Sequence, residues 1–257
     1  MFAEERKQQI LAELHRTRAV RVEDLGRVLS ASAASIRRDL TDLERAGLLK
    51  RTHGGAISAQ LAALEPSVTE KEDQHRAEKA AIASVAAASV QTGDTIFLDA
   101  GSTTRQIACE LRRRRGITVV TNAVNIASEL ASSDVDVVLT GGQLRRGILS
   151  LVGPIAEQAI AALHVDKLFL AANGIDLEKG VTTPNLNEAQ TKRAMVMRAT
   201  EVLLVADHSK FGRVSFGHIC GLERVHAVIS DDGLSSTTAR GIEQLGVRVH
   251  LAERRRA

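Results

Sequence analysis

Apolar residues near the start of the chain recur at three- and four-residue intervals. Ile10, Leu11 and Leu14 predict a helix over residues 4–15, and Leu25, Val28 and Leu29, all inward, predict a short second helix over 22–29. Ser30-Ala31-Ser32 breaks the pattern, and Ser32 is placed to cap a third helix from Ala33 to about Ala46. There Ile36, Leu40 and Leu43 recur at i, i+4 and i+7, and Gly47 supplies a C-terminal stop. Residues 48–51 and 56–58 can pair around Thr52-His53-Gly54-Gly55 as a hairpin. Residues 60–79 hold Pro66, which cannot donate to a helix, and the charged run Glu70-Lys71-Glu72-Asp73; they read as a linker into an alanine-rich helix over 76–90.

Beyond Gly93 the pattern changes to alternating strands and helices. Strands are predicted over 95–98, 118–120, 135–139, 167–171, 202–205, 227–229 and 248–250, with helices over 103–113, 123–131, 154–163, 187–199 and 237–245 between them. Runs of Val, Ile and Leu without clean alternation predict a mostly parallel α/β sheet covered on both faces. Ligands bind such sheets at the C-terminal ends of the strands. Small and polar residues gather there: Asp99-Ala100-Gly101-Ser102-Thr103-Thr104, Thr121-Asn122, Thr140-Gly141-Gly142, Asn173-Gly174-Ile175 and Asp207-His208-Ser209-Lys210-Phe211-Gly212. The first of these hands a strand over to a helix through glycine and three hydroxyl side chains. Free backbone N–H groups at such a helix start suit a phosphate.

Charge separates the two halves. Residues 1–57 carry eleven Lys/Arg against eight Asp/Glu, which accounts for the whole formal net charge of +3. A basic N-terminal segment suggests a polyanion partner. Three short helices followed by a basic hairpin make a winged helix-turn-helix, in which the third helix enters the major groove of double-stranded DNA. Ala34, Ser35 and Arg38 then face outward and Arg37 lies at the edge; Arg38 is the candidate for a guanine edge or a phosphate. Ser32 and Ser35 would contact phosphate or bases, and Lys50, Arg51 and His53 on the wing would hold the DNA backbone. The division is 1–57 for the DNA-binding domain, 58–75 for the linker and 76–257 for the α/β domain. No apolar run reaches membrane-spanning length and the N-terminus lacks a signal-peptide core, so the expectation is a cytoplasmic protein with no membrane partner. Cys109 and Cys220 are the two cysteines, so no disulfide framework is expected. His218, Cys220 and His226 lack a recognised metal-ligand spacing, and no metal is expected. Arg112-Arg113-Arg114-Arg115 reads as a solvated helix end and Arg254-Arg255-Arg256 as a tail.

These motifs, taken in order, resemble the DeoR family of bacterial transcriptional regulators of sugar metabolism. The resemblance rests on Ile36-Arg37-Arg38-Asp39-Leu40, Leu43-Glu44, Gly47-Leu48-Leu49 and Arg51-Thr52-His53-Gly54-Gly55-Ala56 in the N-terminal part. In the C-terminal part it rests on the strand ends above, with Asp166-Lys167 and with Glu188-Ala189 and Lys192. It implies a winged helix followed by a sensor domain similar in fold to pentose-phosphate isomerases, with a phosphorylated sugar as effector, no cofactor, and repression relieved by ligand. The implied effector contacts are Asp99, Gly101, Ser102, Thr103, Thr104, Thr121, Asn122, Gly141, Gly142, Asn173, Gly174, Glu188, Lys192, Asp207 and Lys210. A homo-oligomer is expected, because one winged helix reads too few bases for genome-scale specificity. Ser102 stands where the family commonly has only Gly-Thr-Thr, and keeps the hydroxyl. The start of the third helix, Ala33-Ala34-Ser35, is poorer in base-reading side chains than usual.

The alternative is a sugar-phosphate isomerase or deaminase with an accessory basic domain. Such enzymes need a carboxylate within reach of the reacting carbon. Where the isomerases cluster acids, this chain reads Ala171-Ala172-Asn173-Gly174-Ile175-Asp176, and asparagine cannot take a proton. The reading is therefore a domain that binds without turnover, not an enzyme. A redox sensor with a dinucleotide fold is disfavoured, because no Gly-x-Gly-x-x-Gly opens the first helix after a strand. Asp99 is either a ligand contact or a cap for its own loop. Asp207 and Lys210 form a pair that either contacts ligand or only stabilises the loop, and Lys192 is a ligand contact or a solvated helix position.

Overall fold

The computed structural model describes residues 3–17, 19–46, 48–52, 54–58 and 68–253. The chain divides into two compact units, Met1–Pro66 and Ser67–Ala257.

In the first unit the order is α1 (Ala3–Thr17), β1 (Ala19–Arg21), α2 (Val22–Val28), α3 (Ala33–Arg45), β2 (Leu49–Thr52) and β3 (Gly55–Ser58). One apolar cluster holds it together, with Ile10, Leu14, Leu25, Ile36 and Leu40 each no more than 2% exposed. In α2 the inward residues are Val22, Leu25 and Leu29; Val28, expected inward, is 71% exposed. Residues 22, 25 and 29 share one face at i, i+3 and i+7, and Val28 falls beside it. Ser30 has φ +49 at the break between α2 and α3. The Ser32 hydroxyl then accepts the Ser35 N–H at 3.2 Å, capping α3. β2 and β3 pair antiparallel as the wing. β1, which the sequence pattern does not show, joins on the far side of β3 and makes the wing a three-stranded sheet. At three residues β1 is too short for period-two alternation to register. Asp39, buried inside α3, takes two bonds from the Arg6 guanidinium of α1, at 2.5 and 3.1 Å. Gly47, His53 and Arg254-Arg255-Arg256 lie outside the described residues.

The second unit begins with α4 (Val68–Asp73) and α5 (Arg76–Ala88). The segment expected as linker to residue 75 therefore contains a helix. Its charged run had argued for solvent, but Glu72 pairs with Arg105 at 2.8 Å and Val68 is buried. There follow β4 (Thr95–Leu98), α6 (Ser102–Leu111), β5 (Thr118–Thr121), α7 (Val124–Leu130), β6 (Asp136–Leu139), β7 (Gln143–Arg145), β8 (Ser150–Val152) and α8 (Pro154–Ala161). The remainder is β9 (Val165–Leu170), β10 (Gly174–Asp176), β11 (Gly180–Thr183), α9 (Leu186–Met197), β12 (Ala199–Val205), β13 (Gly217–Cys220), β14 (Ala227–Asp231), α10 (Ser236–Gln244) and β15 (Arg248–Ala252).

All seven strands expected from the apolar runs form one parallel sheet, in the order β15-β14-β12-β9-β4-β5-β6. Successive residues of β4 point to opposite faces: Ile96 and Leu98 join a cluster with α5, α6 and α7, while Phe97 joins one with α8, α9 and α10. The edge strand β6 departs from the two-sided burial expected, with Val138 and Leu139 42% and 43% exposed. The chain proceeds from β4 to β5 and β6 on one side, then to β9, β12, β14 and β15 on the other. The topological switch point thus falls between β4 and β9, where open α/β sheets bind ligands. Two small antiparallel additions, the β7–β8 hairpin and the sheet β10-β11-β13, were not visible as patterns; each strand in them has three or four residues.

Candidate functional site

On α3, Ala34, Arg37 and Arg38 are exposed and Ser35 is half-buried. Arg37, expected at the edge, stands as open as Arg38, and neither makes an ion pair among the described residues. Other arginines of this unit are engaged: Arg6 with Asp39 at 2.5 Å and Arg27 with Asp24 at 2.5 Å. Ser32 and Ser35 share a 3.0 Å hydroxyl–hydroxyl bond, so both are occupied at the cap. Arg51 on β2 donates its N–H to Glu44 and its guanidinium to Thr41, both at 2.9 Å, which fixes the wing to the second half of α3. Lys50 lies beside it in β2. The candidate DNA surface is a helix start with two exposed guanidinium groups that make no ion pair among the described residues, beside the strand that carries Lys50 and Arg51.

The second constellation lies at the C-terminal rim of the parallel sheet. β4 runs out through Asp99 into Gly101, and α6 starts at Ser102 with no side chain capping it. Among the described residues no acceptor meets the N–H groups of Ser102, Thr103 or Thr104. These are the unsatisfied groups at a helix start that receive anions. The loop approaches β9 closely: a Cβ on Gly101 would stand 2.9 Å from the Ala171 Cβ. The Thr104 hydroxyl bonds back to the Gly101 carbonyl at 2.9 Å. Asn122 holds the loop from the next strand, accepting the Ala100 N–H at 3.1 Å and donating to the Leu151 carbonyl at 3.1 Å. The Thr121 hydroxyl bonds to the Leu98 carbonyl at 2.7 Å and receives the Ala123 N–H at 3.0 Å. Thr121 and Asn122 therefore shape the loop.

Asp99 is fully buried and carries an ion pair with Lys192, itself 4% exposed, and accepts the Ala171 N–H at 2.9 Å. Lys192 also donates to the Ala171 carbonyl at 3.1 Å, so it bridges the β4 and β9 ends across the switch point. This overturns the solvated-helix alternative for Lys192. Burial pushes the Asp99 carboxyl above its ordinary range, and Lys192 with the Ala171 and Ala100 N–H groups draws it back. The pair is a bolt under the loop.

One turn earlier on α9, the Glu188 carboxylate meets Arg145 at 2.9 Å and accepts the Thr183 hydroxyl at 3.0 Å, and that hydroxyl lies 3.1 Å from the Asn173 side-chain amide. By sequence Arg145 could line the pocket or an oligomer contact; the structure places it on β7 as the ion-pair partner of Glu188. Asp176 accepts the N–H groups of Glu178 and Lys179, both at 2.9 Å, which ties it into a turn. Gly142 has φ +118, and a Cβ there would meet the Val152 carbonyl at 2.8 Å; neighbouring Gly141 has φ +71. A Cβ on Gly174 would lie 2.6 Å from the Arg213 carbonyl. Gly142 and Gly174 serve close backbone packing of the rim, while Gly141 supplies its left-handed turn.

At the end of β12, Asp207 is fully buried and receives the Ser209 N–H at 3.1 Å together with its hydroxyl. Lys210 stands 3.9 Å from Asp207 and is a quarter exposed; burial lowers its pKa, with Asp207 opposing. The motif supplies a second acid–base contact that the sequence left unassigned: His208 Nδ1 meets Asp231 at 2.7 Å, and Asp231 also accepts the His208 and Gly233 N–H groups. Burial alone would raise the Asp231 carboxyl, but those bonds hold it below the ordinary range. Among the described residues no group of His, Cys, Asp and Glu could hold a metal ion. His226 accepts the Val202 N–H at 3.0 Å and burial pushes the Cys220 thiol up to about 12.

Both halves match family models: the DeoR-like helix-turn-helix domain over residues 6–61 and the DeoR C-terminal sensor domain over 74–232. The chain belongs to the DeoR family. Its DeoR-family relatives include the HTH-type transcriptional regulator GlpR of Haloferax volcanii, 41% identical with 97% of this chain and 98% of that protein covered. The transcriptional repressor AccR of Agrobacterium fabrum is 40% identical over 79% of each chain. The regulator GolR of Listeria innocua is 32% identical over 98% of this chain and all of its own. These relatives are transcriptional regulators, and this DeoR-family chain is a DNA-binding transcriptional regulator. Among solved structures, ribose 5-phosphate isomerase A of Methanocaldococcus jannaschii overlaps 54% of this chain and 55% of its own at 16% identity and a TM-score of 0.42. The delta subunit of eIF2B from Chaetomium thermophilum overlaps 62% and 57% at 16% identity and a TM-score of 0.47.

Proposed function

We propose that this regulator represses sugar-catabolism genes and that a phosphorylated sugar, bound at the rim between β4 and β12, modulates its grip on operator DNA. The observation that carries the reading is the open start of α6, with the N–H groups of Ser102, Thr103 and Thr104 unsatisfied at the switch point. Strand spacing of about 4.8 Å places the ends of β4 and β12 about 10 Å apart, the reach of a phosphorylated sugar. Lys210 then stands at one end and the helix start at the other, with Asn173 and Gly174 between them on β9's exit. Asp99, Thr121, Asn122, Gly141, Gly142 and Lys192 support this surface from behind. Glu188 serves as a hydroxyl acceptor at its flank.

Asp176 is tied into its turn and Asn173, which cannot take a proton, stands at the strand exit, while the Glu188 and Asp207 carboxylates are engaged by Arg145 and by Ser209; this supports a rim that binds without turnover. The DNA surface consists of Arg38, Arg37, Ala34, Ser32 and Ser35 on α3, with the wing residues Lys50, Arg51 and His53 on the backbone. The protein works in the cytoplasm as a homo-oligomer, since paired winged helices supply the base count that one lacks. No helix among the described residues is long and apolar enough to cross a membrane.

A panel of sugar phosphates in a thermal-shift screen tests the reading, because a ligand stabilises in step with its excess over Kd. The effective compound should release the full-length protein from DNA. Ser102→Ala and Lys210→Ala should keep DNA affinity yet need more than tenfold more of that compound, the loss of a hydrogen bond to a charged group being about 1.5–3 kcal/mol. A full response in both variants would remove the rim from the sensor.

A further inference from the structure

The first segment of the sensor unit, Val68–His75, is fastened to the candidate effector rim at several separate points. The Val68 N–H donates to the Gly147 carbonyl at 2.8 Å, in the turn of the β7–β8 hairpin that also carries Arg145. Glu72 pairs at 2.8 Å with Arg105, which lies in the first turn of α6 directly after Thr104. The carbonyls of Lys71 and Gln74 both accept from Lys79, a lysine 4% exposed at the start of α5. The His75 ring meets the His208 ring edge-on with centroids 5.2 Å apart, and His208 is held in turn by Asp231. His75 adopts φ +53, a conformation that a non-glycine side chain keeps only where its surroundings enforce it. Burial lowers the Lys79 pKa, and the Asp207 carboxylate opposes that shift.

Three of these fastenings end on or beside an element that carries a proposed effector contact, and the fourth, through Lys79, ends on α5. Arg105 follows the open N–H groups of α6, His208 sits between Asp207 and Lys210, and the β7–β8 hairpin bears the partner of Glu188. In sequence only residues 59–67 separate this segment from β3 of the DNA-binding unit. We infer that Val68–His75 is the read-out strap of the sensor: closing of the rim on its ligand alters the Glu72–Arg105 and His75–His208 latches, and the strap passes that change to the DNA-binding unit through the chain that joins them. This rests on the effector site proposed above. A ligand shifts the equilibrium by as much as it prefers one strap arrangement over the other.

The experiment uses the full-length protein and a duplex selected by the wild type from random sequence. Glu72→Gln removes one latch; His75→Gly removes the ring contact while keeping a residue at ease at φ +53. Neither residue is among the proposed contacts to ligand or DNA. Without any ligand, each variant should change duplex Kd at least tenfold, although both lie in the sensor unit, while melting temperatures stay near wild type. With a sugar phosphate that stabilises the wild type, both should still be stabilised by it, with an affinity shifted by the lost coupling, and duplex Kd should then respond by less than twofold. Wild-type duplex Kd in both folded variants and in the Glu72→Gln/His75→Gly double variant would overturn the strap. If no sugar phosphate stabilises the wild type, the effector reading fails, and the ligand-free comparison still decides the strap.

Discussion

Replacing Lys192 with methionine destabilises the sensor unit by about 3–5 kcal/mol at neutral pH, the cost of leaving one member of a buried ion pair without its partner. Asp99 has no solvent exposure, and without Lys192 only backbone N–H groups oppose the burial that raises its pKa. The sign follows from that direction. An acid whose folded pKa lies above its unfolded value of about 3.9 binds more protons in the native state, so stability falls as pH rises. The deficit of Lys192→Met should therefore be small near pH 4 and grow toward neutrality. Urea denaturation at several pH values measures it. Asp99→Asn combined with Lys192→Met should recover most of the loss, because no unpaired charge remains. A single variant as stable as wild type at pH 7 would show that the pair is no bolt.

Arg38→Ala should abolish specific operator binding while the fold and the stabilisation by ligand stay unchanged. The side chain is exposed and makes no ion pair among the described residues, so its removal costs folding no more than about 0.5 kcal/mol. A bidentate contact to guanine carries about 1–3 kcal/mol of base discrimination, and a paired site doubles the loss. Wing substitutions behave differently. Arg51→Ala should weaken all duplexes alike and reduce the salt slope by about one, as a phosphate contact does. Fluorescence anisotropy with specific and scrambled duplexes over a salt series separates the two. Retained discrimination in Arg38→Ala at moderate salt would take Arg38 off the reading face.

The long apolar runs were legible because a strand buried on both faces must be apolar throughout, and all seven such runs became strands of the parallel sheet. The cap at Ser32 was legible because capping is local, set by one hydroxyl and the N–H three residues on. Val28 was misplaced because a seven-residue helix offers too few positions to fix which face is inward. The short strands β1, β7, β8, β10, β11 and β13 escaped because at three or four residues the pairing partner, and not the pattern, makes the strand. α4 escaped because its charges suggested solvent, while its stability comes from Arg105, thirty-three residues away along the chain from Glu72.

Legible along the chain were the two-part order, the parallel α/β class, the third helix with Arg38 outward and the glycine-hydroxyl turn at the end of the first sheet strand. Each depends on periodicity or on residues adjacent in the chain. Which polar residues of the rim pair with one another is visible only in three dimensions. Asp99 and Lys192 are ninety-three positions apart and Arg145 and Glu188 forty-three, and their roles follow from charges that burial forces into pairs. A buried charge must find its counter-charge in space, and no local pattern along the chain records where that partner lies.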